Sequence, residues 1–179
     1  MVASLVIIAL LLTLERPGVS IASMNALIHI AALIAVLGTA VVYGTDVFCA
    51  MVQRPALAAI DDRALVSVMG NVHRYGDRRM PLPGAVGIVA AATSAALAAA
   101  AGKWTQAVPA ATALALLVVW LVLYTRISKP INRQLTAAAA TCDIPPDVRA
   151  LQGKWDRIIN ARAIIQGLAV ASLCITLMV

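Results

Sequence analysis

Residues 25–50 read Asn-Ala-Leu-Ile-His-Ile-Ala-Ala-Leu-Ile-Ala-Val-Leu-Gly-Thr-Ala-Val-Val-Tyr-Gly-Thr-Asp-Val-Phe-Cys-Ala, and this run decides the fold. It contains no lysine or arginine and a single carboxylate, Asp46. A helix needs roughly 20 predominantly apolar residues to cross a hydrocarbon core of about 30 Å, so the run is long enough to span a bilayer. Three further blocks of the same kind follow at residues 84–102, 106–125 and 158–179. The whole chain agrees: of its 179 residues 62% are hydrophobic and 12% charged, with mean hydropathy +0.92, far from the composition of a soluble domain. The expected fold is an all-α integral membrane four-helix bundle, a single domain over residues 25–179.

The charges fix the expected orientation. Every lysine and arginine except Arg16 and Lys103 lies between Arg54 and Arg79 or between Arg126 and Arg162. With four spans both segments fall on one side, which the positive-inside rule makes the cytoplasm, with both termini outside, in a plasma (inner) membrane. A net charge of +6 on a soluble scaffold would suggest nucleic acid, but basic residues gathered between apolar blocks report topology instead. Cys49, Cys142 and Cys174 are far apart and lack a paired spacing, so neither a disulfide framework nor a metal site is expected.

The N-terminal segment, residues 1–24, stays open. Its apolar stretch, residues 2–14, has no basic residue before it and is followed by Glu15, Arg16, Pro17 and Gly18. A signal peptide, a short extra helix and translation from Met24 all fit. The second apolar block is almost entirely Ala, Gly, Ser, Thr and Val, residues that let helices approach closely in lipid, and is expected inside the bundle. Trp104 and Trp155 are expected at opposite interfaces. Pro145-Pro146 divides the polar segment before the last span, leaving a helix over residues 131–141 as a cytoplasmic cap.

At 100° per residue Thr39, Tyr43, Asp46 and Gln53 share one sector of about 80° on the first span. On the last span Trp155, Arg162 and Gln166 form one stripe, and Gly153, Asp156, Asn160 and Gly167 a second about 120° away. Ionisable groups at membrane depth are costly and turn inward to partners. Arg162 is therefore expected to meet an acid, with Asp46 at matching depth and Asp77 or Asp156 as alternatives. Whether such a pair only fixes packing or also belongs to a ligand site is left open by the residues. His29 and Asp46 are separated by about 25 Å of helix rise, which puts His29 and the inner-segment His73 near opposite faces and argues against a shared metal or haem. His73 stands in Asn-Val-His-Arg-Tyr-Gly-Asp-Arg-Arg, residues 71–79, a polar run with acid-base capacity. No phosphate loop, dinucleotide fingerprint or nucleophile elbow occurs.

Four stretches together carry a resemblance: Gly44-Thr45-Asp46-Val47-Phe48, Arg54-Pro55-Ala56-Leu57, Lys129-Pro130-Ile131-Asn132-Arg133-Gln134-Leu135, and Trp155-Asp156-Arg157 with Arg162. From about residue 25 onward the chain resembles the anthrone-oxygenase-like family of small bacterial and fungal membrane proteins. The resemblance implies a four-helix membrane bundle, in which fungal relatives oxidise anthrones to anthraquinones with oxygen. Many relatives carry a histidine where Ile159 stands here, a departure that His73 would have to make good in space. The resulting expectation is a cofactor-independent oxygenase, or a binder of a flat polyketide- or quinone-like molecule. Asp46, His73 and Arg162 would be catalytic, with Tyr43, Arg54, Asn132, Arg133, Trp155 and Asn160 around the substrate. The rival expectation, from the small-residue helix, is a non-enzymatic accessory subunit packed against a membrane-protein partner.

Overall fold

A computed structural model describes residues 21–179; residues 1–20, most of the segment whose status the sequence left open, lie outside the described residues. The described chain is helical throughout: α1 (Ile21–Phe48), a π-helical stretch (Cys49–Gln53), α2 (Arg54–Ala58), α3 (Asp62–Arg79), α4 (Pro81–Ala100), α5 (Trp104–Leu123), a second π-helical stretch (Tyr124–Ser128), α6 (Lys129–Thr141) and α7 (Val148–Met178). Four continuous helical runs are long and apolar enough to cross a membrane: Ala22–Ala58, Pro81–Ala100, Trp104–Thr141 and Val148–Met178. The protein is thus a multi-pass, all-α membrane bundle.

The four spans form a ring in which α1 packs on α4 and α7, and α5 packs on α4 and α7. The small-residue helix α4 therefore occupies a corner like the others, rather than the interior expected for it. Its glycine still serves close approach: a Cβ on Gly87 would stand 2.7 Å from Thr39 Oγ1, and one on Gly38 would stand 2.8 Å from Gly87 N. Backbones this near are the usual substitute for a hydrophobic drive between helices in lipid. The outward faces are apolar, as at Leu33, Leu37, Val41 and Phe48 on α1, which suits hydrocarbon as solvent.

Two runs are far longer than a bilayer needs, and the 31-residue last run exceeds it as well. At 1.5 Å per residue the 37- and 38-residue runs measure about 55 Å and 57 Å, well beyond a core of about 30 Å. The excess builds a cap at the charged end, where α3 packs along α6 and the start of α7 closes the layer. Leu65, Met69, Leu135, Leu151 and Ile159 are among its buried core. The segment 62–79, read from sequence as a polar connection, is a regular amphipathic helix: the Asp61 side chain accepts from Ala64 N at 2.8 Å to start it. It buries Leu65, Val66, Met69, Gly70 and His73 while its arginines face outward. Arg149 Nη1 donates to Leu57 O at 3.1 Å and its Nε pairs with Asp62 at 2.5 Å, tying α7 to the α2–α3 turn.

One expectation is overturned here. Trp104 is 66% exposed at its end of the bundle, as an interfacial tryptophan should be, but Trp155 is only 5% exposed. The last helix begins at Val148 rather than near 158, so Trp155 sits two turns inside it and faces α6 instead of the interface.

Candidate functional site

Asp46 lies in the last turn of α1, 2% exposed, on the face turned toward α5 and α7. An isolated carboxylate there would be prohibitive. Its oxygens are fully engaged: Oδ1 accepts from Arg162 Nη2 at 2.7 Å, and Oδ2 accepts from Gln166 Nε2 at 2.6 Å and Trp120 Nε1 at 3.2 Å. Arg162, itself 6% exposed, donates from Nη1 to Ser128 Oγ at 2.9 Å. Its guanidinium carbon lies 5.6 Å from the Trp120 ring and 5.5 Å from the Tyr124 ring, within cation–π range of both.

A second network adjoins the first through Tyr124. Asp77 Oδ1 accepts from Tyr124 Oη at 2.9 Å and from Asn132 Nδ2 at 2.8 Å, and Asn132 Oδ1 accepts from Trp155 Nε1 at 3.1 Å. The His73 ring is tilted at 54° against Trp155, with centroids 5.5 Å apart. The two π-helical stretches bracket this region, one beginning three residues after Asp46, the other supplying both Tyr124 and Ser128. A π turn inserts a residue into the helical ladder and re-aims the side chains after it, which is why such turns recur at functional sites.

Between the networks lies a cavity of about 320 Å³, with Asp46, His73, Asp77, Trp120, Tyr124 and Arg162 among its walls. Two nitrogens of those walls are buried without a hydrogen-bond partner, His73 Nε2 and Arg162 Nε. Burial lowers the His73 imidazole to about 4, the effect being opposed by the nearby Asp77 carboxylate and reinforced by Arg162. His73 is accordingly neutral near pH 7, and a weaker base than a free imidazole. The arrangement offers a neutral base and a fixed cation around an apolar void, the elements required to ionise a weakly acidic molecule and stabilise its anion.

Of the residues singled out from sequence, Asp46, His73, Asn132, Trp155 and Arg162 come together around the cavity. Tyr43 does not; it lies between α1 and α7, where a Cβ on Gly167 would stand 3.2 Å from its ring. Arg54, Arg133 and Asn160 are exposed and contribute nothing to the cavity walls. Asn160 is exposed and the rest of its stripe only half-buried, because the neighbouring stripe, Trp155, Arg162 and Gln166, takes the bundle side. Ile159 is fully buried in the cap core beside Trp155, and His73 reaches Trp155 from α3. Sequence reading missed Trp120, Tyr124 and Ser128. Their signal was present, since they recur every four residues along the end of the third span.

Fold and site together define a polytopic helical membrane protein with a partly open, mainly apolar cavity beside a buried ion pair, where the spans meet their cap. No protein-family description, curated protein or solved structure compared with this chain matches it.

Proposed function

We propose that the cavity binds a flat, weakly acidic ring molecule and activates it by deprotonation for reaction with oxygen. The observation that carries this reading is that His73 and Arg162, each with one buried nitrogen lacking a hydrogen-bond partner, both line an otherwise apolar cavity. Buried polar groups are nearly always satisfied, and a bound molecule is one way to complete those left open. A cavity of about 150 Å³ accepts a benzene ring, so about 320 Å³ suits two or three fused rings.

In this reading His73 removes a proton from an activated methylene of the ring, and Arg162 stabilises the enolate oxygen that results. Oxygen then delivers one atom to the carbon as a carbonyl, while the other leaves as water with the two methylene hydrogens. Asp46 is not assigned as the base, since both its oxygens accept hydrogen bonds; it holds Arg162 in place. The resemblance noted from the sequence supplies the reaction class, and the tilted contact of His73 with Trp155 supports it by putting an imidazole beside the tryptophan from another helix. The cap, with its arginines, would face the cytoplasm.

The test is oxygen uptake by the purified protein with anthrone as substrate. The wild type should consume oxygen well above protein-free micelles, and His73→Ala and Arg162→Gln should each lose about a hundredfold or more. Saturable anthrone binding without turnover would leave a ring-binding protein and remove the oxygenase. A rate equal to that of empty micelles, with no binding, would remove both.

A further inference from the structure

The walls of the cavity are not mixed at random. Its charged and amide groups are at the closed end: Asp46 is 2% exposed, His73 and Asn132 4%, and Arg162 6%. Asp77, only partly buried, has one oxygen taken by Tyr124 and Asn132. The most exposed residues of the wall are apolar instead, Val72 on α3, Pro81 and Ala85 on α4, and Leu121 on α5, while Thr45 and Asp77 are partly exposed. The arginines alongside on α3, Arg74, Arg78 and Arg79, are not part of the cavity wall.

The place of this opening matters as much as its chemistry. Ala85 and Leu121 lie within two membrane-crossing runs. The cavity wall continues along α4 from Pro81 to Ile88, about 10 Å of helix rise into the span. A mouth for a water-borne molecule would lie on the cap and carry exposed polar groups. Here the exposed lining residues Ala85 and Leu121 stand instead on α4 and α5, at the cap-side ends of those two helices.

Resting on the ring-binding reading above, we propose that the occupant is a ring-headed lipid, loaded sideways from the bilayer through the gap between α4 and α5. Its oxygen-bearing ring goes inward to Arg162 and His73, and its hydrocarbon tail stays between Ala85 and Leu121 in the membrane. The mouth thus selects for partition into lipid, whereas the closed end selects for the ring.

The experiment uses the full-length protein in phospholipid nanodiscs with Trp104→Phe, so that Trp120 and Trp155 of the site report alone. The probe is a hydroxynaphthoquinone carrying a decyl chain, compared with the same ring bearing a sulfonate and no chain. The tailed ring should quench saturably and the sulfonated ring only weakly. Ala85→Phe should slow quenching by the tailed ring about tenfold, equivalent to about 1.4 kcal/mol at the mouth, and Leu121→Ala should speed it. Two variants of opposite sign guard against a mere folding defect. Equal quenching by both rings, indifferent to Ala85 and Leu121, would overturn lateral loading while leaving the ring site standing. Saturable quenching by neither ring would overturn the site and the loading route together.

Discussion

The two ends of the bundle each hold a histidine, a glutamine and a hollow, yet they differ in kind. At the far end Gln106 Nε2 and His29 Nε2 are 3.0 Å apart, Lys103 Nζ donates to Asn25 Oδ1, and Ser94 Oγ donates to Ile28 O at 3.1 Å. A hollow of about 380 Å³ lies there around residues 102–106, and the buried atom left without a partner in it is a neutral amide oxygen, Gln106 Oε1. At the cap end the hollow is walled by a carboxylate–guanidinium pair and an imidazole, and the atoms left open are nitrogens of ionisable groups. Size alone does not mark a site. What distinguishes the cap end is buried charge, which is several-fold more costly than a buried amide unless structure or ligand compensates it.

The largest effect that separates the ends is expected at Arg162. Arg162→Ala leaves Asp46 buried and short of its main partner, and should cost about 3–5 kcal/mol, seen as a lowered melting temperature in detergent. Adding Asp46→Ala should restore part of the loss. Strictly additive losses would contradict direct coupling between the two.

This pair was the part of the site most legible in the sequence. A lone carboxylate one to two turns inside Arg54 and a lone arginine one to two turns inside Trp155 have matching depth, and in hydrocarbon an ion has few alternatives to its counter-ion. Helical spacing also chose the right stripe of α7, since Trp155, Arg162 and Gln166 are all buried. The rest was hidden for identifiable reasons. Trp120 and Tyr124 end an apolar block and look like ordinary lipid-facing or interfacial aromatics; only the π turn and the neighbouring arginine show them turned inward. His73 and Asp77 depend on how α3 docks on α6, a contact between segments about 60 residues apart that no local pattern encodes. There a Cβ on Gly70 would meet Leu135 O at 2.5 Å, so the docking itself turns on a missing side chain.

A smaller difference should appear on acidification. His73 has its folded value lowered from 6.5 to about 4, so between those values the unfolded chain binds the additional proton and stability falls as pH falls. The contribution is complete above about pH 6.5 and lost by about pH 4. At its limit the shift is worth about 3 kcal/mol. His73→Leu should remove this component, so its melting temperature should depend less on pH across that window than the wild type's. Identical pH profiles would show that His73 is not held neutral by its surroundings.

The smallest effect is expected at the far end. Gln106→Leu removes a neutral hydrogen bond together with an unsatisfied oxygen, two changes that oppose each other, and stability should shift by no more than about 1 kcal/mol. Ring binding at the cap end should be untouched. A loss of binding would mean that the two ends are coupled and the comparison drawn too sharply.

The central claim, that the cap-end cavity ionises a bound ring, is tested most directly by the absorption spectrum of anthrone mixed anaerobically with the protein in detergent at neutral pH. Without oxygen the reaction should stop at the anion. The wild type should show a red-shifted enolate band at a pH where anthrone in empty micelles remains neutral, and Arg162→Gln and His73→Ala should each abolish it. Anthrone bound saturably but un-ionised in the wild type, or an enolate band that persists in both variants, would contradict the account.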